Sequence, residues 1–222
     1  MGNELVDRLS RLDACAVSDA LDRFGLRGAV IGIRPVWPCP RIAGRVVTIR
    51  LKPVGLDRPK QHLGSTAIDA AKAGDVLVVD NAGRVDVASW GGMLSLAATT
   101  KQIRGVILDG ACRDVDEIQE IGLPVYARGV VPVTARGRIM QESFNQEISC
   151  GAVAVRPADL VIADGSGVVF IPGQKAENVI AEAEAIARHQ QAMTDAIRAG
   201  RPVGEVMESM AYESMLLQKE KP

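Results

Sequence analysis

Two apolar runs of strand length, "DVLVVD" (75–80) and "GVILDG" (105–110), flank a segment with helical spacing, and this arrangement constrains the chain more than any other feature. In "WGGMLSLAATTKQIRG" (90–105), Leu94, Ala97, Ala98 and Lys101 share one helical face, and a glycine pair, Gly91 and Gly92, stands at its entry. A helix from about Asp114 to Ile121 and the strand "LPVYARG" (123–129) come next. Strands separated by helices return to the same edge of a sheet, so the spacing predicts a parallel βαβ arrangement.

The flanks extend this pattern. "RVVTIRL" (45–51) reads as a strand, and "STAIDAAKAG" (65–74) as a short helix closed by Gly74. Leu5, Leu9 and Leu12 recur at helical spacing, and a second short helix covers Val17 to Phe24 before the stop at Gly25. "GIRPVWPCPRIAG" (32–44) holds three prolines in six residues and reads as an extended loop. Beyond residue 130 come short β-like pieces, "VVPVTA", "CGAVAVRP" and "DLVIADGSGVVFIP", which suggest a return sheet. A long helix (174–199) and a Met-rich amphipathic tail (203–217) complete the pattern. With no internal repeat and no low-complexity stretch, the expectation is an α/β fold in which residues 1–222 form one domain of mixed sheets flanked by helices.

Of the 222 residues, 47% are hydrophobic but only 3% aromatic, so the core must be built from Val, Ile, Leu, Ala and Met. Lys plus Arg number 26 against 27 Asp plus Glu, a balance that favours no polyanionic partner; no nucleic acid is expected. The N-terminus lacks an apolar signal core, and the apolar runs are too short to span a bilayer, so a cytoplasmic location and no membrane are expected. Cys15, Cys39, Cys112 and Cys150 form no CxxC pair, which fits free thiols in a reducing compartment.

Arg113 and Asp114 follow the run ending at Asp109–Gly110 and admit two readings. Asp114 with Glu117 forms D-x-x-E, a capping-box variant, in which Arg113 is a solvated turn residue and Asp109 shapes a turn. Alternatively, parallel strands end on one edge, where ligands collect. The loops after 75–80 and 105–110 would then bring Gly91, Gly92, Arg113 and Asp114 into one cleft. Amides at a helix entry, a guanidinium and a carboxylate suit a 2-oxo acid with a divalent metal. Other residues offer less. His62 and His189 are too separated for a zinc site, Ser166 in "DGSGV" sits in a hairpin turn, and Met210 and Met215 suit packing or a subunit contact.

The run from "HLGSTAIDAAKAGDVLVVDNAG" through "WGGMLSLAATTKQIRGVILDGACRDVDEIQEIGLPVYARGVVP" to "SCGAVAVRPADLVIADGSGVVFIP" resembles the RraA-like superfamily. That superfamily includes 4-hydroxy-4-methyl-2-oxoglutarate/4-carboxy-4-hydroxy-2-oxoadipate aldolases and protein regulators of ribonuclease E. The resemblance implies an α/β/β/α swivelling domain, assembled as a homotrimer or hexamer with sites between subunits. It implies that Asp114 holds Mg²⁺ or Mn²⁺ largely through waters, and that Arg113 contacts the pyruvyl part. The family's carboxylate-binding amides fall on Gly91, Gly92, Met93 and Leu94. The regulators lack the aspartate that this chain has. Gly92 replaces an acidic residue found in many aldolases, and Gln190 replaces a glutamate of the neighbouring subunit's late helix. Asp19 takes an acidic position of the early helix, which leaves Asp19 and Gln190 as the proton-transfer candidates.

The resulting expectation is a metal-dependent (class II) pyruvate aldolase or oxaloacetate decarboxylase acting on a small 2-oxo acid. The alternatives are a protein regulator of ribonuclease activity, or a lyase of the same scaffold for an unrelated oxo acid or sugar acid.

Overall fold

The computed structural model describes residues 2–55 and 63–209. Helices α1 (Gly2–Leu9) and α2 (Ala14–Arg23) precede strands β1 (Ala29–Val30), β2 (Arg34–Pro35) and the long β3 (Ile42–Pro53). The crossover unit follows as α3 (Ser65–Ala70), β4 (Val76–Trp90), α4 (Gly92–Thr100), β5 (Gly105–Cys112), α5 (Val115–Ile121) and β6 (Val125–Val130). The return consists of β7 (Ile139–Phe144), β8 (Ile148–Cys150), β9 (Val153–Val155), β10 (Leu160–Asp164) and β11 (Gly167–Ile171). Helices α6 (Ala176–Arg198) and α7 (Val203–Ser209) close the described chain.

β3, β4, β5 and β6 lie side by side and parallel, as the helical spacers require. β3 serves two halves of one sheet. Its first residues pair antiparallel with β10, and Val46 to Arg50 pair with β4, giving the order β1-β11-β10-β3-β4-β5-β6-β2. The sheet folds over at β3. Val76, Val78, Ile107 and Tyr126 of one half meet Val161, Ala163, Val168 and Phe170 of the other. Outside one half, α3, α4 and α5 bury Ala67, Ala98 and Ile118; outside the other, α1, α2 and α6 bury Leu9, Val17 and Ile180. The result is the mixed α/β/β/α layering expected. β5 lies between two strands and two layers, and all eight of its residues are buried.

Two buried carboxylates tie the layers together. Asp80 and Asp109 are register partners on β4 and β5. Asp109 pairs with Arg128 and accepts from the Gly151 amide at 2.8 Å, while Asp80 accepts from the Ala82 amide at 2.9 Å and the Ser149 amide at 3.3 Å. Together they pin the β8–β9 hairpin, so Asp109 is structural. The Tyr126 hydroxyl donates to the Ala163 carbonyl at 3.0 Å across the layers, and burial raises its pKa.

Two segments differ from the sequence expectation. Residues 81–90, beyond the end of the run expected as a strand at 75–80, continue β4 through register shifts that begin around Ala82 and Gly83, both at positive φ. The Asp80 side chain holds that bulge through Ala82, a contact between residues two apart that hydrophobic period does not register. "VVPVTA" is not a separate strand: its first residue, Val130, ends β6, and the chain then runs irregularly, tied by Val131 N to Cys112 O at 2.9 Å and by Ala88 N to Val133 O at 2.9 Å. Its proline at 132 cannot donate to a ladder. His62, Met210 and Met215 lie outside the described residues.

Candidate active site

The glycine pair and the Arg–Asp pair meet because β4 and β5 end as neighbours, with Trp90 opposite Cys112. Arg113 N donates to Trp90 O at 3.1 Å, closing the two strand ends together. Gly91 then caps α4 in extended geometry. The indole N–H of Trp90 donates to Ser95 Oγ at 2.9 Å, and that hydroxyl donates to Gly91 O at 3.0 Å. The first turn of α4 is thereby locked onto the strand that leads into it.

The capping reading of Asp114 is overturned. Asp114 occupies the N-cap position of α5 with φ 59 and ψ 42, and its side chain makes no capping hydrogen bond. Left-handed backbone turns the carboxylate away from its own helix, a conformation that Asp tolerates better than most residues. Oδ2 accepts from the Gly92 amide at 3.1 Å and stands 3.3 Å from Arg113 Nε. A Cβ on Gly91 would lie 2.6 Å from that oxygen, and one on Gly92 would collide with the Glu117 carboxylate. Neither glycine has an unusual φ; a side chain at Gly91 would press on Asp114 and Arg113, whereas at Gly92 it would have to displace the exposed end of Glu117.

These groups line a cavity of about 220 Å³, a size suited to a small metabolite. Arg113 and Asp114 keep 39% and 35% of their side chains exposed, so both are reachable from the cleft. The amides of the first helical turn have no partner within α4. That of Gly92 is committed to Asp114, and those of Met93 and Leu94 have no partner among the described residues. The Met93 side chain stands at 76% exposure on the cleft wall, and Leu94 is buried. Behind the site, burial pushes the Cys112 thiol up to about 11, with the Asp114 charge contributing, so this thiol stays protonated near neutrality.

Asp114 fits a hard divalent ion in one respect: Oδ1 has no partner among the described residues. No cluster of three or more His, Cys, Asp or Glu occurs among them, so any ion here would keep most of its waters, as Mg²⁺ commonly does.

Asp19 and Gln190 are not brought to this cleft within one chain. Asp19 lies on α2, its carboxyl pushed up by burial and then by Asp22 and Asp13; Gln190 lies on α6, in the helical layer on the other side of the sheets. His189 is on the same helix, and Ser166 is in the β10–β11 turn, its amide donating to Asp164 at 2.8 Å. Sequence reasoning missed the part of the lining formed by Leu63, Ile139, Met140 and the loop residues Thr134 and Arg136. Its only sequence trace is the "TARGR" run, two arginines about a glycine.

A family model described as RraA-like, Aldolase/RraA, matches residues 14–170. Protein DlpA of Legionella pneumophila is 29% identical over 94% of this chain, which spans only 34% of that longer protein. A Halalkalibacterium halodurans protein with the provisional name 4-hydroxy-4-methyl-2-oxoglutarate aldolase is 30% identical, covering 82% of each chain. The crystal structure of Streptomyces coelicolor RraAS2, described as an unusual member of the RNase ES inhibitor RraA family, superposes with a TM-score of 0.77 at 25% identity. That match covers 86% of this chain and 95% of RraAS2.

Proposed function

The chain belongs to the RraA-like family, and on that premise we propose that it is a carbon–carbon lyase that forms the enolate of pyruvate from a 2-oxo acid. One observation carries the proposal: Asp114 does not cap its helix but lies against Gly91 and Gly92 beside Arg113, on a cleft of metabolite size. A regulator that acts only through its surface has no need of that geometry.

The Met93 and Leu94 amides, at the positive end of α4, orient the substrate carboxylate. Arg113 donates to the 2-oxo oxygen, where negative charge grows as the bond between C3 and C4 breaks. Asp114 would hold Mg²⁺ or Mn²⁺ through Oδ1 and bound waters. Such an ion, when bound, supplies Lewis-acid polarisation of the 2-oxo group. In oxaloacetate the electron pair of the C3–C4 bond moves into the enolate as CO₂ leaves, and C3 then takes up a proton to give pyruvate. Retro-aldol cleavage also requires a base for the substrate hydroxyl. Within one chain, neither Asp19 nor Gln190 supplies it. Oxaloacetate decarboxylation is therefore expected to exceed aldol cleavage.

The test is pyruvate release from a panel of 2-oxo acids with Mg²⁺, Mn²⁺ or a chelator, after subtraction of the free metal's own catalysis. Decarboxylation that disappears with chelator is expected. Brisk aldol cleavage without decarboxylation would reverse the ranking, and inertness toward the whole panel would sink the lyase reading and favour a regulator or an unrelated substrate.

Asp19 and Gln190 can take part only from another copy, in the homotrimer or hexamer that forms part of the proposal. Ile31, Val85, Leu96 and Val130 are exposed apolar residues that such an assembly could cover. Sedimentation velocity should give three or six copies. An active monomer would exclude both residues from the reaction.

A further inference from the structure

A second cation lines the cleft that holds Asp114. Arg136 lines the same cleft, and its guanidinium forms no hydrogen bond or ion pair among the described residues. Its neighbours in charge are committed. Arg113 stands by Asp114, Arg128 is paired with Asp109, and Arg138 donates to Thr134 O at 3.2 Å.

The backbone presents Arg136 from a fixed turn. Ala88 N to Val133 O at 2.9 Å fastens the loop to β4, and Val54 N to Arg138 O at 2.9 Å fastens it to the end of β3. Between these anchors, Arg136 N donates to Thr134 Oγ1 at 3.2 Å, while Arg138 N and Ile139 N donate to Ala135 O at 2.9 and 3.1 Å. Gly137, at φ +74, completes the reversal. A turn held on both sides keeps Arg136, with its uncommitted guanidinium, at the cleft at low entropic cost.

We infer that Arg136 is a specificity-determining residue of this cleft, contacting a second carboxylate that lies beyond C4 and is retained in the reaction, at the far end of a substrate longer than oxaloacetate. The inference rests on the lyase reading, which assigns the first carboxylate and the 2-oxo group to the α4 amides and Arg113. A planar guanidinium is permanently charged and matches a carboxylate with two parallel hydrogen bonds. The cleft lining also includes Leu63, Ile139 and Met140, apolar side chains that suit a short carbon chain. Arg136 is exposed, so without its partner it returns to water and is not stranded. Discrimination should therefore be about 10- to 100-fold, in line with a charge-assisted hydrogen bond, and below the roughly 10⁴-fold of a buried polar site.

The test is calorimetric binding of two probes of equal chain length, 2-oxoglutarate and 2-oxovalerate, which differ by a terminal carboxylate or methyl. The full chain is used with Mg²⁺ throughout, as wild type, Arg136→Gln and Arg138→Gln. Wild type is expected to prefer 2-oxoglutarate by about 10- to 100-fold. Arg136→Gln should bring the two affinities within about threefold, by weakening 2-oxoglutarate alone, and Arg138→Gln should retain the preference. Equal loss of preference in both variants would reduce Arg136 to part of a general positive field, and an undiminished preference in Arg136→Gln would remove it from the site; either result overturns the inference. Wild type binding both probes alike would overturn the second subsite and leave the lyase reading standing. Binding neither probe would overturn both.

Discussion

Asp114→Asn is expected to lower turnover by at least about 100- to 1,000-fold while leaving the melting temperature within a degree or two, because the lost charge serves the site and not the fold. Asparagine keeps an oxygen that can accept from the Gly92 amide, and it tolerates the left-handed backbone that Asp114 adopts. Alanine tolerates it less well and would mix a backbone penalty of about 1–2 kcal/mol into the result. Asp114→Gly completes the comparison. Glycine relieves the strained φ, so the protein should become slightly more stable while remaining inactive, the signature of strain held at a functional position. Thermal denaturation beside pyruvate release checks all three. Full activity in Asp114→Asn with unchanged metal dependence would make this carboxylate a mere fastener of the glycine turn.

Arg113→Lys should be nearly as damaging as Arg113→Ala, again about 100- to 1,000-fold in kcat/KM. The physical ground is geometric. Arg113 Nε already stands 3.3 Å from Asp114, so the remaining guanidinium donors serve the substrate from a fixed plane. Lysine keeps the charge as a compact, mobile ammonium and cannot serve the carboxylate and the 2-oxo oxygen together. A lysine variant with wild-type kcat/KM would show that a general positive field suffices. Pyruvate formation at saturating and limiting oxaloacetate separates loss in kcat from loss in KM.

The crossover half of the fold was legible because its strands and helices differ in hydrophobic period, and neighbours in sequence are neighbours in space. The Arg113–Asp114 and Gly91–Gly92 pairs were legible for a related reason: parallel strands deliver their ends to one edge. The left-handed backbone of Asp114 was not legible. D-x-x-E is the same string whether the carboxylate turns toward its own helix or toward the amide of a neighbouring one, and only the approach of α4 decides. Arg136 was hidden for another reason. It sits in a segment without regular period, and it reaches the cleft only because β7 pairs with the far end of β3 while Val133 is tied to β4.

β3 also fixes an order of events when the chain is made. Its C-terminal part can pair with β4 as soon as the first crossover is complete, yet its N-terminal part waits for Leu160–Ala163 of β10. Until β10 and β11 emerge, the inner faces of β4 and β5 have no opposing layer, and one edge of β3 remains open to any passing strand. The crossover half is thus a nascent structure with a sticky face, and the last strands act as its lid. Truncation before residue 160 should accordingly yield a chain that aggregates instead of a smaller folded protein, and refolding should be slow for its size, since closure joins residues more than half the chain apart.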